Sequence, residues 1–173
     1  AIYQSEKYIY NNLTNTIIVR PGIVIGGGDQ FLSQLIPLFK ISFFIPLFGK
    51  GLSKFQPVYV DDISLAINKI VSNTLLGRHV FEFVGNDIFT YKELYNFLAA
   101  CMGKTRVFVS IPYTLAKFGI KILEKIALSP LNSEQLRLFE KDNIGSKDAK
   151  NFDYFDIKPQ NLKEIIKNIV QKT

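Results

Sequence analysis

The sequence predicts an α/β fold built around a largely parallel sheet. Two observations predict it. The first is the run "TIIVRPGIVIGGG" at 16–28, rich in β-branched residues and ended by glycines, which reads as a buried strand and turn. The second is the order of the pieces. Short apolar runs alternate with stretches of helical periodicity, in the sequence α-β-α-β-α-β-α-β-α-α-α, and such alternation requires crossover connections.

Residues 1–13 read as a helix, with Ile2, Ile9 and Leu13 apolar among polar neighbours. The chain thus begins inside an amphipathic pattern, which reads as the cut edge of a longer domain. Pro21 limits the first regular strand to about 16–20. Asp29 is a good N-cap for a helix through Phe31, Leu32, Leu35 and Ile36. "FQPVYV" at 55–60 reads as a short strand. "DDISLAINKIVSN" follows as a helix with Asp61 or Asp62 as its cap. "HVFEFVG" at 79–85 alternates as a strand does, and His79 at its start reads as structural. Thr90-Tyr91-Lys92-Glu93 is a capping box for a helix to about 102. A strand is expected at 106–112, and helices at 113–127, 133–142 and 159–171, the last near Pro159. The segment 143–158 is the loosest by composition, rich in Lys, Asp and Asn.

With 173 residues the chain suits one compact domain or a large piece of a bigger one. Hydrophobic content of 47% against 21% charged residues reads as globular. The net charge of +6 admits anionic partners, among them phosphates and an acidic membrane surface. One Cys and one His exclude an internal disulfide and argue against a His/Cys metal site or a secreted scaffold, so no metal is expected and the cytoplasm is.

Two readings stand for Tyr3 and Lys7. Residues i and i+4 share a helix face. An ammonium beside a phenol lowers its pKa by roughly 1–3 units, which suits the pair to proton transfer. The other reading is a solvated face, since the same spacing recurs at Tyr113/Lys117 and Tyr154/Lys158. Gly26, Gly27 and Gly28 do not complete a G-x-G-x-x-G fingerprint, because Phe31 stands where the third glycine belongs. The stretch 31–48 carries a single charge, Lys40, and is broken by Pro37 and Pro46. It reads as a core helix and loop, or as an apolar lip facing lipid or an apolar ligand. Lys117, Lys121 and Lys125 repeat at i+4 opposite Leu115, Phe118, Ile122 and Ile126. That helix face is either solvated or suited to an anionic membrane.

Taken in order, the Tyr-x-x-x-Lys helix, the "RPG" strand, the glycine turn and "FQPVYVDD" resemble the second half of an extended or atypical short-chain dehydrogenase/reductase, of the NAD-dependent epimerase/dehydratase superfamily. "RPGIVIGGGDQF", "PLFGKGLSKFQPVYVDDI" and "SPLNSEQLRLFEKDNI" are similar to one branch, the dehydrogenase-like accessory subunit of respiratory complex I and its bacterial relatives. The resemblance implies the C-terminal part of a Rossmann-type NAD(P)-binding fold with a small α/β substrate domain. Residues 1–75 would be the end of the Rossmann-type domain with its crossover, and 76–173 mainly the small domain, with the dinucleotide-binding half upstream. Tyr3 would be the acid/base, and Lys7 would hold the cofactor ribose. Pro21, Gly22, Ile23 and Val24 would line the nicotinamide. Phe55, Gln56 and Val60 would lie near the substrate. The cofactor would be NAD or NADP, with NADPH favoured by the branch, and nucleic acid is not an expected partner. The superfamily implies an enzyme acting on a nucleotide sugar or another small hydroxy/keto compound. A quinone- or lipid-related reductase is a further alternative. The branch instead implies a structural or assembly subunit, associated with complex I subunits and peripheral on the inner membrane.

Overall fold

The computed structural model describes residues 2–73, 75–125, 136 and 139–173, with side chains at 4–73, 75–119, 136 and 139–173. Helix α1 (Ile2–Asn12) leads into β1 (Thr16–Pro21), β2 (Val24–Ile25), α2 (Gln30–Ile41), β3 (Phe44–Phe48), β4 (Lys54–Phe55), β5 (Val58–Tyr59) and α3 (Val60–Ser72). There follow β6 (Arg78–Phe83), β7 (Phe89–Thr90), α4 (Tyr91–Cys101), β8 (Val107–Ile111), α5 (Tyr113–Lys125), a 3-10 turn (Phe152–Phe155) and α6 (Leu162–Lys172). The expected helix at 133–142 lies mostly outside the described residues.

The strands form pairs. β1 runs parallel to β6, with Arg20 opposite Glu82 and Pro21 opposite Phe83. β2 is parallel to β5, and β3 to β8, while β4 and β7 are antiparallel. Parallel pairs joined through helices bear out the α/β reading.

Two apolar clusters hold the elements. The larger joins α2 (Leu32, Ile36, Phe39) to β3, α4 (Leu94, Tyr95, Leu98) and α6 (Leu162, Ile166). The smaller joins Val58 and Ile63 to Phe81 and Phe83 of β6 and to Phe152, Phe155 and Ile157. Each cluster draws on residues from both sides of position 75.

Local signals behave as their chemistry requires at two helix starts. The Asp29 carboxylate accepts from Leu32 N at 2.6 Å and from Gly26 N at 3.2 Å. Thr90 and Glu93 form the reciprocal capping box, which holds the Glu93 carboxyl below its usual range.

Four expectations are corrected. Phe44–Phe48 is a strand, not a loop. Pro46 is tolerated because β3 pairs on one side only, so its missing N–H costs no ladder bond. "FQPVYV" is not one strand, since the chain breaks at Gln56–Pro57 into β4 and β5 and α3 already begins at Val60. Asp61 and Asp62 lie in the first turn of α3, whose N-cap Tyr59 makes no side-chain bond. Buried Asp62 instead accepts from Gln160 N at 3.0 Å and Gln160 Nε2 at 3.1 Å, tying the approach to α6 onto α3.

The fourth correction concerns 143–158. Phe81 bridges to Lys150, Asn151 exchanges bonds with both backbone groups of Val84, and Phe152 and Phe155 are core residues. The ring of Phe155 lies 5.1 Å from that of Phe81.

Phe155→Ala is expected to lower stability by about 3 kcal/mol, the cost of emptying an aromatic core position. Asp62→Ala, which strands the Gln160 donors, should cost about 1–3 kcal/mol. Urea unfolding monitored by circular dichroism checks both.

Candidate functional site

The site grows from the carboxyl ends of β1 and β6. At Gly22 and Gly85 these ends pass so close to the 56–57 backbone that only glycine fits. A Cβ on Gly22 would lie 2.4 Å from Gln56 O, and one on Gly85 would lie 2.3 Å from Pro57 O. The Gln56 side chain completes the junction. Its Nε2 donates to Gly85 O at 2.7 Å, and its Oε1 accepts from Gly145 N at 3.1 Å. The Gln56 N–H donates to Asn143 O, Asn143 N donates to Lys54 O, and Asp142 accepts from Lys54 N. Segment 142–151 is thereby strapped across the strand ends.

Under the strap lies a cleft of about 200 Å³, lined by Arg20, Pro21, Gly22, Glu82, Val84 and the strap residues 143–146. A second cleft of about 220 Å³ lies between α1 and the β1–β6 face, lined by Glu6, Lys7, Tyr10, Ile18, Arg20 and Val80. Arg20 belongs to both walls. Its Nε donates to Glu6 Oε1 at 2.7 Å, and a terminal nitrogen reaches Glu82 Oε1 at 3.3 Å. The other Glu82 oxygen accepts from Ser146 N at 2.8 Å. The Ser146 N–H, then the Arg20 guanidinium, hold the Glu82 carboxyl below its usual range. Glu6, followed by Glu82, raises the pKa of Arg20.

The structure brings some expected site residues together. Pro21 and Gly22 line the strap cleft, and Lys7 lines the α1 cleft. Tyr3 lies one turn before Lys7 on α1, with its side chain outside the described residues. Ile23 and Val24 are half-buried just beyond Gly22, and Ile23 O accepts from Val58 N. Val60 is half-buried at the first position of α3. Phe55 is fully enclosed, its ring stacked on Tyr91 at 4.6 Å, and it meets the strap through its backbone bridge to Asn143.

The two competing Tyr-x-x-x-Lys pairs have other occupations. The Tyr113 hydroxyl donates to Phe139 O, and Lys117 pairs with Glu140 at 2.7 Å. Tyr154 packs edge-on against Phe81 beneath the Lys150 ammonium. His79 stacks on Phe81 and bonds Leu76 O through Nε2.

Sequence reasoning missed Arg20, Glu82, Asn143 and Ser146. A signal existed for Glu82, the one carboxylate in β6, set between Phe81 and Phe83. Among the described residues no group of three or more His, Cys, Asp or Glu side chains is placed to hold a metal.

No protein-family model matches the chain. In sequence it is 30% identical to the mitochondrial NADH dehydrogenase (ubiquinone) 1 alpha subcomplex subunit 9 of Arabidopsis thaliana, over 92% of this chain and 42% of that protein. It is 24% identical to the mitochondrial NADH-ubiquinone oxidoreductase 40 kDa subunit of Neurospora crassa, over the same two shares. In structure it matches a human epimerase family protein solved with NADPH, with a TM-score of 0.67 and 17% identity over 92% of this chain and 49% of that one. A dTDP-glucose 4,6-dehydratase from Bacillus anthracis solved with NAD matches with a TM-score of 0.61 and 20% identity, over 90% and 43%. The fold is that of the C-terminal part of an extended short-chain dehydrogenase/reductase. In sequence the chain is similar to the complex I subunits, and it spans 42% of the length of the first of them.

Glu82→Gln should cost about 1 kcal/mol at pH 7, the value of a partly exposed charge-assisted bond. A lowered folded-state pKa stabilises above the unfolded value of about 4.3 and loses that contribution as pH falls through the folded value. The gap between the variant and the natural protein is therefore expected at neutral pH and should narrow below about pH 4. Urea titrations across that range check the sign.

Proposed function

We propose that the protein is a nicotinamide-dinucleotide-binding, dehydrogenase-like accessory protein related to the complex I subunits, with a structural or assembly role. The observation that carries this reading is the match to the Arabidopsis subunit across 92% of the chain. The geometry supports the cofactor part. The strap cleft lies outside the carboxyl ends of parallel strands, where open α/β sheets bind ligands. Its 200 Å³ is below the roughly 300–1,000 Å³ of a complete small-molecule site, and so suits one end of a dinucleotide. Solved relatives of this fold hold NAD or NADP, and we favour NADPH for this chain.

In this reading Pro21, Gly22, Ile23 and Val24 flank the nicotinamide end, and Gln56 and Val60 lie beside the substrate side, with Phe55 supporting them from the core. Lys7 holds the ribose, and Tyr3 precedes it by one turn of α1. When bound, the dinucleotide supplies hydride chemistry. An active epimerase, dehydratase or reductase on a nucleotide sugar is the second reading, supported by the functions named for the structural neighbours.

The association we propose is with complex I subunits at an anionic membrane surface. Among the described residues no helix is long and apolar enough to cross a membrane. A surface contact has support from the β3–β8 pair. Phe44, Val107 and Val109 are exposed there, beside Phe43 and an 85% exposed Ile41. Residues 30–60 carry Lys40, Lys50 and Lys54 and no carboxylate. Residues 94–123 carry Lys104, Arg106, Lys117 and Lys121 and again no carboxylate. These seven cations exceed the whole net charge of +6.

Four measurements test the proposal. Titrating the full-length protein with NADPH by nicotinamide fluorescence should show binding, weakened about tenfold or more in Lys7→Ala. Affinity capture from solubilised membranes should recover complex I subunits. Turnover that is lost in Tyr3→Phe, with no complex I subunit recovered, would favour the enzyme instead. In flotation with phosphatidylglycerol vesicles, Phe44→Asp should reduce membrane binding, and Lys104→Glu should lower it by about fivefold or more.

A further inference from the structure

Arg20 stands where three parts of the chain meet. Glu6 comes from α1, Glu82 from β6, and Ser146 from the strap. They form one continuous chain of contacts, from Glu6 to Arg20 to Glu82 to Ser146, at 2.7, 3.3 and 2.8 Å. The Glu6 and Glu82 side chains are only 16% and 17% exposed, while the Arg20 side chain that links them is 46% exposed. The backbone N–H of Glu82 donates in turn to Lys150 O, so β6 holds the strap at two points.

We infer that Arg20 and Glu82 form a positioning relay that couples the placement of α1, and with it Lys7, to closure of the 142–151 strap over the cleft. The physical basis is the sharing of one cation by two carboxylates on different elements. With Arg20 in place, its planar fork serves both carboxylates. Without it, Glu6 and Glu82 face one another as like charges, which pushes α1 away from the sheet and frees Glu82 from its geometry at Ser146. Loss of either carboxylate changes how the guanidinium engages the other. A disturbance at the strap is thus transmitted to α1, although no contact in the relay joins them directly.

The relay is local to the β1–β6 pair, where Arg20 and Glu82 are direct cross-strand neighbours. That placement separates it from the Gln56 junction, which anchors the strap at Asn143 and Gly145 instead. Gln56 therefore sets where the strap begins. Arg20 and Glu82 set how the strap and α1 move relative to each other. Arg20 and Glu82 are positioning residues in this scheme, not catalytic ones. The consequence for cofactor binding rests on the dinucleotide reading above; the coupling itself does not.

The test is hydrogen–deuterium exchange on the full-length protein, read separately for peptides covering 2–12 and 142–151, in Glu6→Gln, Glu82→Gln, Arg20→Ala and Arg20→Lys. The relay requires remote effects. Glu82→Gln should speed exchange in α1, and Glu6→Gln should speed it in the strap, each by about threefold or more, the scale of coupling within one ion-pair network. Arg20→Ala should loosen both, and Arg20→Lys should restore part of the protection. Effects confined to the segment that each side chain touches would overturn the relay, and equal loosening of peptides outside both segments, such as 91–101 of α4, would do the same. NADPH titration of the same variants reads the other claim. Affinity falling in the order of the exchange changes supports the link to the cofactor. A natural protein that binds no NADPH overturns the dinucleotide reading and leaves the relay to be decided by exchange alone.

Discussion

Three backbones meet at Gln56, and the rest of the site depends on that meeting. The exit of β1 at Gly22, the exit of β6 at Gly85 and the strap at Gly145 all come within hydrogen-bond or contact distance of residues 56–57. Two of the approaches leave no room for a Cβ. The primary amide then donates through its nitrogen and accepts through its oxygen, in both cases with main-chain groups. The strap cleft exists because this junction holds its walls apart at a fixed spacing.

Charge is distributed with the same economy. Carboxylates are used where a specific N–H or cation awaits them, as with Asp29, Asp62, Glu82 and Glu93. Cations gather at 30–60 and 94–123, where the sequence carries no carboxylate, although Lys117 finds Glu140 from outside those stretches. Some act locally. Arg106 donates to Phe39 O and Lys104 to Lys40 O, closing the end of α2. The polar network of the cleft and the basic, apolar face of β3–β8 are thus built from different residues and can serve different partners.

The sequence made the alternation of strands and helices legible because it rests on local pattern. The apolar β1 run, the Asp29 cap and the Thr90 capping box each carry their reason within a few residues. Pro46 misled because a proline argues against a strand unless the strand lies at an edge, and edge position is a property of the sheet. Asp62 misled because a cap-like aspartate at a helix start has a local explanation, while its actual partner is 98 residues away. Of the site, Pro21 and Gly22 could be read from "VRPG". The Arg20–Glu82 pair could not, since it appears only once β1 and β6 are in register. The strap carries no periodicity at all. Its order comes from side chains and main-chain groups that meet partners 64 to 89 residues distant.

Those separations also bear on how the chain reaches its native state. Parallel β1–β6 pairing spans 62 positions, the Gln56–Gly145 bond 89 and the Asp62–Gln160 bond 98. Closing such loops costs entropy before any contact offsets it, so a chain tied this way folds slowly for its size. During synthesis β1 and β6 can pair while the strap is still inside the ribosome. The Gln56 amide and the Asp62 carboxylate then wait, solvated, for residues 142–160 to emerge. The strap therefore docks after the β1–β6 pair it crosses, and the cleft beneath it takes shape later than the strands that form its floor.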